Sequence, residues 1–138
     1  MKRLLLIITM VVLVISACAP ATSGNEGVAE GTSHQVITVN QLKTMMKNKD
    51  FLLVNVHVPY VGEITGTDLF LPYNEIEQNL GKLPDDKGTK IVVYCQAGMM
   101  SNIAAKTLGR LGYTDIVDVD GGMIAWQKAG YQIIQKPH

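Results

Sequence analysis

Apolar residues along the chain fall into short runs of strand length that alternate with segments of helical spacing. The clearest runs are 51–56 and 90–94, which are apolar at nearly every position, as in strands buried on both faces of a parallel sheet. Weaker strand patterns lie at 36–39 and 115–119. Strands that alternate with helices predict an α/β fold, here one open and mostly parallel sheet flanked by helices.

Three helices are predicted between or after these strands, over 41–48, 101–111 and 123–128. We expect Asn40 to cap the first helix, because a side-chain oxygen at that position can accept a first-turn N–H. Met45 and Met46 share the apolar face of this helix and are expected in the core, as is Trp126 in the third helix. Met residues at this spacing therefore indicate packing and not a ligand site.

The start of the chain has a different pattern from the rest. Lys2 and Arg3 precede the apolar run 4–15. This run is shorter than the roughly 20 residues that cross a bilayer and fits the about 7 to 15 of a secretory signal. The Ile-Ser-Ala sequence before Cys18 resembles the bacterial lipobox. We therefore predict that residues 1–17 are a lipoprotein signal peptide; the alternative is an ordinary signal with an incidental cysteine.

The segment after the signal is predicted to be a tether. Residues 18–34 begin with Cys18, the expected site of lipidation, and are otherwise small and polar with no apolar period. The domain itself is expected over 35–138. Two or three acyl chains anchor a protein stably. The expected location is therefore outside the cytoplasm, in the periplasm or on the cell surface, with the N-terminal lipid in the bacterial membrane.

Composition narrows the class of protein. The 138 residues suffice for one domain, and 47% hydrophobic against 17% charged residues exclude a disordered chain. Twelve Lys and Arg balance twelve Asp and Glu without clustering, so no nucleic-acid partner is expected. Cys18 and Cys95 are the only cysteines. If lipid occupies Cys18, no internal disulfide can form and Cys95 is the single free thiol.

Cys95 lies at a position typical of a functional site. It follows the buried strand 90–94, and ligands of open α/β sheets bind beyond the carboxyl ends of strands. A short loop with Gly98 leads to a helix start, where backbone N–H groups and the helix dipole favour an anion and hence the nucleophilic thiolate. Ser101 either caps the helix or donates to a bound anion. The alternative is that Cys95 is merely a small buried residue.

Two separated motifs resemble those of rhodanese-like sulfurtransferase domains. The sequence Cys-Gln-Ala-Gly-Met-Met-Ser at 95–101 is similar to the active loop, and Leu-Gly-Tyr-Thr-Asp-Ile at 111–116 with Gly-Gly-Met-Ile-Ala-Trp at 121–126 is similar to the closing signature. The order of elements agrees from about 35 to 134. The resemblance implies a rhodanese-like fold and a sulfurtransferase that needs no metal or organic cofactor.

The resemblance also implies the role of each loop residue. Cys95 would take a sulfane sulfur from a small donor, hold it as a persulfide and pass it to a thiol or another thiophilic acceptor. The loop residues that would bind the persulfide through their amides are Gln96, Ala97, Gly98, Met99, Met100 and Ser101. A protein partner is not identified by the sequence.

Some positions depart from the family pattern. Met100 stands where many members have Arg, so the loop has no cation, and soft thioethers favour a persulfide or polysulfide donor over thiosulfate. The usual Asp-Val-Arg after the second strand is Asn-Val-His at 55–57, and the usual Gly-His-Ile is Gly-Glu-Ile at 62–64. His57 either faces the active loop as an accessory residue or is a surface or hydrogen-bonded histidine.

Two other functions are compatible with some of these residues. A protein phosphatase of the same fold needs Cys-x5-Arg, but Ser101 stands six residues after Cys95, so the phosphoryl clamp is missing. The alternative from another class is a non-catalytic module that binds a partner protein or a soft metal at the same pocket. Cys95, Met99, Met100 and His57 are a soft set that could bind Cu(I).

Two carboxylates, Asp118 and Asp120, lie close together in the sequence before a glycine pair. Asp118 and Asp120 alternate along the predicted strand 115–119 and the turn after it. Paired carboxylates can act in acid and base catalysis. Alternate acidic residues before a glycine turn more often mark a solvated strand end, which is what we expect here.

Overall fold

A computed structural model describes residues 33–137 of the chain. The predicted signal peptide, the expected lipidation site Cys18 and all of the tether up to 32 lie outside the described residues. Over 33–137, no helix has the length and apolarity that crossing a membrane requires.

The described residues form strands and helices in alternation. The strands are β1 (Gln35–Ile37), β2 (Leu52–Asn55), β3 (Glu63–Ile64), β4 (Leu69–Phe70), β5 (Ile91–Tyr94), β6 (Ile116–Val119) and β7 (Ile133–Ile134). The helices are α1 (Val39–Met45), α2 (Met99–Arg110) and α3 (Gly122–Lys128), with 3₁₀ segments at Met46–Asn48 and Glu77–Lys82.

Five strands form one parallel sheet in the order β1-β6-β5-β2-β4. β3 and β7 pair antiparallel in a small second sheet. β5 lies at the centre, with Val93 opposite Val54 of β2 and Asp118 of β6. The predicted α/β fold with an open, mostly parallel sheet is confirmed.

Helices cover both faces of the sheet. Val93 and Cys95 point to the face covered by α2, whereas Val92 and Tyr94 point to the face covered by α1 and α3. Every residue of β5 is therefore buried, and this double coverage is why its sequence is apolar without alternation.

The start of the first helix differs from the prediction. Thr38, not Asn40, is the N-cap of α1: its hydroxyl oxygen accepts the Gln41 N–H at 3.2 Å, and Gln41 Oε1 accepts the Thr38 N–H at 2.8 Å. This reciprocal capping box satisfies two donors at once, which Asn40 alone could not do. Met45 and Met46 are half-buried against the core rather than fully inside it, whereas Trp126 is a core residue as predicted.

Candidate active site

Cys95 directly follows β5 and lies under the loop that leads into α2. Its side chain packs with Val56 and Val93 in the core on the α2 face, and the residue is only 2% exposed. In the part of the chain that the structure describes it is the one free cysteine. The thiol is therefore almost wholly enclosed by the core and the loop.

The backbone of the loop contacts the Cys95 sulfur at its glycine. The Gly98 N–H donates to Cys95 Sγ at 3.0 Å. Gly98 has φ +108°, a conformation that side chains disfavour, so glycine is needed to aim this N–H. An N–H donor on the sulfur stabilises the thiolate more than the thiol.

Gly98, not Ser101, is the N-cap of α2. The first intrahelical bond runs from the Asn102 N–H to the Gly98 carbonyl at 3.1 Å, and the helix begins at Met99, two residues earlier than predicted. A helix leaves its first-turn N–H groups without intrahelical acceptors, and here these belong to Met99, Met100 and Ser101. The positive end of a 12-residue helix is thus directed at the Cys95 loop.

Backbone N–H groups at the start of α3 bind the backbone carbonyls of the loop. Met123 N–H donates to the Cys95 carbonyl at 2.9 Å, and Ile124 N–H donates to the Gln96 carbonyl at 3.0 Å. A Cβ on Gly122 would lie 2.2 Å from the Cys95 carbonyl oxygen, so this approach requires glycine. Because a trans peptide points its C=O and N–H in opposite directions, the amides of Gln96 and Ala97 face away from α3 and stay available.

The loop side chains differ in exposure. Gln96, Ala97 and Met99 are exposed, Met99 by 77%, whereas Met100 packs against the core on the α2 face. The two thioethers therefore lie on different sides of the helix start, which is unlike a shared metal site. Across residues 33–137, no group of three or more His, Cys, Asp or Glu could hold a metal ion.

A pocket of about 160 Å³ borders the loop, and its lining includes a lysine that the sequence pattern did not indicate. It is lined by Ala97, Gly121, Ile124, Ala125 and Lys128. Lys128 is the last residue of α3, and only the docking of α3 on the loop brings it near Ala97. Nothing in the linear pattern signalled this proximity.

Asp118 is buried, so the expected solvated strand end is wrong for this residue, although Asp120 is exposed as expected. The reason is that β6 lies inside the sheet, between β1 and β5, and Asp118 faces α2. Burial raises the pKa of the Asp118 carboxyl, while the Ser101 hydroxyl and His34 lower it. Ser101 is fully buried, and its hydroxyl donates to the Gly98 carbonyl at 3.1 Å.

His57 is buried rather than on the surface. It follows β2, whose Val56 N–H still donates to the Tyr94 carbonyl at 2.9 Å, so the backbone places His57 beside the start of the Cys95 loop. Its own N–H donates to Asn55 Oδ1 at 3.0 Å, but its ring Nδ1 has no hydrogen-bond partner within the described residues. Burial lowers the pKa of the His57 imidazole.

The neutral amide of Asn55 has a structural explanation. Its Nδ2 donates to the Gly62 carbonyl at 3.0 Å while its Oδ1 accepts the His57 N–H. An ionised Asp could not donate to Gly62. Asn at position 55, where the family usually has Asp, can therefore hydrogen-bond to the backbone of the following loop as an ionised Asp could not.

The family is established by comparison with known proteins. The model of the Rhodanese-like domain matches residues 38–129, two thirds of the chain. The chain belongs to the rhodanese-like family. Its fold and the glycine-rich signatures around Cys95 agree with that membership.

Relatives and solved structures agree with this assignment. A sulfurtransferase of Allochromatium vinosum is 31% identical over 88 residues, which cover 62% of this chain and 80% of that protein. An uncharacterized protein of Synechocystis sp. is 30% identical over 101 residues, or 72% of this chain, but the chain spans only 55% of that protein. The crystal structure of a rhodanese-related protein from Thermoplasma volcanium superposes with a TM-score of 0.64 at 27% identity, covering 75% of this chain and all of that one.

Proposed function

We propose that this protein is a sulfurtransferase that carries a sulfane sulfur on Cys95 as a persulfide. One observation carries the proposal: the Gly98 N–H lies 3.0 Å from Cys95 Sγ, at a strand end that faces the start of α2. Membership of the rhodanese-like family and similarity to a protein named a sulfurtransferase support the activity at the level of the family.

The chemistry needs two displacements and no cofactor. The Cys95 thiolate attacks the outer sulfur of a donor R–S–S⁻, the donor S–S bond breaks, and RS⁻ leaves with the electron pair. An acceptor thiolate then attacks the outer sulfur of the Cys95 persulfide, which releases Cys95 as a thiolate again. The loop amides stabilise the anionic sulfur in both steps.

The loop favours a persulfide or polysulfide donor over thiosulfate. Residues 95–101 contain no charged side chain, and the exposed Met99 presents a polarisable thioether to the solvent beside the loop. Lys128 lines a pocket with Ala97 of this loop. The loop itself therefore holds the donor mainly through main-chain N–H groups.

Intact mass spectrometry tests the activity directly. We expect the purified full chain to gain the mass of one sulfur atom with a polysulfide, less with thiosulfate, and to lose it when a thiol acceptor is added. Cys95→Ser is the matched control, because it replaces only the Cys95 sulfur by oxygen and leaves Cys18 unchanged. This variant should gain no mass. No adduct from either donor would contradict the proposal and favour a non-catalytic binding module.

We infer further that the chain is a lipoprotein tethered outside the cytoplasm through Cys18. The support is the short apolar run 4–15 and the Ile-Ser-Ala sequence before Cys18. Labelled fatty acid fed to expressing bacteria should enter the wild-type protein and not Cys18→Ser, and only the wild type should sediment with membranes. Equal labelling of both proteins, or a wild type in the soluble fraction, would contradict the tether.

A further inference from the structure

Large apolar side chains are exposed on the two helices that begin at the Cys95 loop. Met99 and Ile103 lie four residues apart on α2, so they share one face of the helix, and both are exposed. Ile124 of α3 is exposed as well and lines the pocket that borders Ala97. Apolar side chains that are exposed together, and not singly, are typical of interaction surfaces.

The starts of the two helices lie side by side, so these side chains belong to one surface. A Cβ on Gly98, the N-cap of α2, would lie 3.7 Å from the backbone nitrogen of Gly121, the N-cap of α3. The Cys95 loop lies at this junction. We call the surface the apolar patch, and it consists of Met99, Ile103 and Ile124.

Positive charge borders the apolar patch. The helices α2 and α3 contain Lys106, Arg110 and Lys128 but no Asp or Glu. Lys106 lies three residues after Ile103, and Lys128 lies four residues after Ile124, so each lysine shares a helix face with an exposed isoleucine.

Two of these cations are not neutralised within the domain. Arg110 lies 3.8 Å from Glu77, whereas Lys106 and Lys128 form no ion pair within residues 33–137. Asp120 is exposed just before the N-cap of α3 and offsets part of this charge. The surface around the apolar patch is therefore cationic and complements an acidic partner.

We propose that the apolar patch is the docking surface for an acidic protein that presents the acceptor thiol to Cys95. The proposal rests on the proposed function, because this acceptor takes the outer sulfur of the Cys95 persulfide. The Cys95 thiol is almost wholly enclosed, so a protein acceptor has to place its own cysteine directly over the loop. Apolar side chains beside that cysteine pack on the patch, and carboxylates farther out pair with Lys106 and Lys128.

Two other occupants fit the apolar patch less well. An anionic membrane would complement the charge, but it would cover the Cys95 loop and exclude the acceptor. A second copy of the chain would bring the same lysines close to one another, and like charges across an interface are unfavourable.

The test is disulfide exchange between Cys95 of the full chain and two activated peptides. Each peptide carries a central cysteine as its pyridyl disulfide, flanked by leucines, and ends in either glutamates or lysines. The Cys95 thiolate attacks the peptide sulfur and the S–S bond breaks; pyridine-2-thiolate leaves, takes a proton from water and is measured by its absorbance as the thione. Cys95→Ser gives the blank that corrects for any reaction at Cys18.

The charge of the peptide should decide its rate. We expect the glutamate peptide to react about three- to tenfold faster than the lysine peptide at low salt, the range of two exposed charge pairs, and this ratio to shrink at high salt. Lys128→Glu should remove or reverse the preference. Lys47→Glu is the matched control, because it makes the same change at an exposed lysine after α1, and it should keep the preference.

The apolar part of the surface is tested separately. Ile103→Ser should slow the exchange with both peptides, because the leucines lose their contact with the patch. The same variant should react like the wild type with the pyridyl disulfide of mercaptoethanol, a small neutral reagent that needs no docking surface.

Several results would overturn the proposal. They are equal rates for the two peptides at low salt, a loss of the preference in Lys47→Glu as in Lys128→Glu, and an Ile103→Ser variant that matches the wild type with both peptides. Should Lys128→Glu fail to fold, Lys106→Glu takes its place and must weaken the preference.

Two control measurements address the other occupants. Protection of Cys95 in Cys18→Ser from the small reagent by phosphatidylglycerol vesicles, lost when Lys128→Glu is added, would assign the patch to a membrane. A dimer in sedimentation that Ile103→Ser dissociates would assign it to a second copy. The exchange needs only the Cys95 thiol and no persulfide, so its outcome is independent of sulfur transfer, whose failure is read from the mass of the chain.

Discussion

Two carboxylates are buried among residues 33–137, and they are paired very differently. Glu63 of β3 is 2% exposed, and Lys136, which follows β7, brings its Nζ to 2.6 Å from Glu63 Oε1. Asp118 of β6 is 5% exposed, but its partner His34 lies 3.8 Å away. Both partners come from segments that flank the folded elements, so each pair also ties a terminal segment to the sheet.

The Glu63–Lys136 pair stabilises the fold, whereas in the Asp118–His34 pair the Asp118 carboxyl can change its protonation state. Lys136 also donates to the Thr67 carbonyl at 3.1 Å, so its ammonium has a second partner and a fixed place. Glu63 Oε1 has no hydrogen bond among the described residues, but the Lys136 ammonium lies 2.6 Å from it. Asp118 Oδ1 and His34 Nδ1 also have no hydrogen bond there, and the contact between the other two atoms of this pair spans 3.8 Å. A buried carboxylate with a close permanent cation is a structural device, whereas one with a loose titratable partner can change state.

Removing the cation from the close pair should give the largest effect on stability. Lys136→Met leaves the Glu63 carboxylate buried without a counter-charge, and we expect the free energy of unfolding to fall by about 3 kcal/mol at neutral pH, the lower end for breaking a buried pair. The lower end applies because the Lys136 side chain is 46% exposed and partly screened. Urea unfolding measures this loss.

The matched control for this change is a second substitution at the partner. Glu63→Gln in the Lys136→Met background removes the uncompensated charge and should restore most of the lost stability. If the double variant is as unstable as Lys136→Met alone, the loss comes from the Lys136 stem and its Thr67 contact, and the ion pair is not the cause.

Removing the carboxylate from the loose pair of Asp118 and His34 should have a smaller effect of opposite sign on the free energy of unfolding. Burial raises the pKa of Asp118 above its ordinary 3.8, so the native state binds its proton more tightly than the unfolded state. Stability from this group is complete below pH 3.8 and is lost as the pH rises through the raised pKa. Asp118→Asn should therefore be more stable than the wild type at pH 7, by less than Lys136→Met loses.

Unfolding of both proteins at acid and neutral pH checks this expectation. The curves should converge at acid pH, where Asp118 is neutral in either state. A wild type that is more stable than Asp118→Asn at pH 7 would show that the His34 pair stabilises the fold as the Lys136 pair does, and the contrast between the two carboxylates would be lost.

Much of the fold followed from local pattern. The apolar runs at 51–56 and 90–94 predicted β2 and β5 because a strand covered by helices on both faces has no polar side to show. The strand end at Cys95 and the glycine three residues later predicted a tight loop before a helix, and the structure places Gly98 at the N-cap. Helix starts were less accurate, since Thr38 and Asn40 are both competent caps and only the reciprocal Gln41 bond selects Thr38.

The surroundings of the Cys95 sulfur could be determined only from the folded chain. The sequence determined that a thiol would stand at the end of a buried strand, with glycines where the backbone must bend, because these are properties of neighbours along the chain. The tertiary structure alone decided that Asp118 is buried under Ser101, that His34 lies beside it, and that Lys128 lines a pocket with Ala97. Burial and the pairing of charges depend on which elements cover a residue, and β1, α2 and α3 reach these positions only when the sheet has assembled.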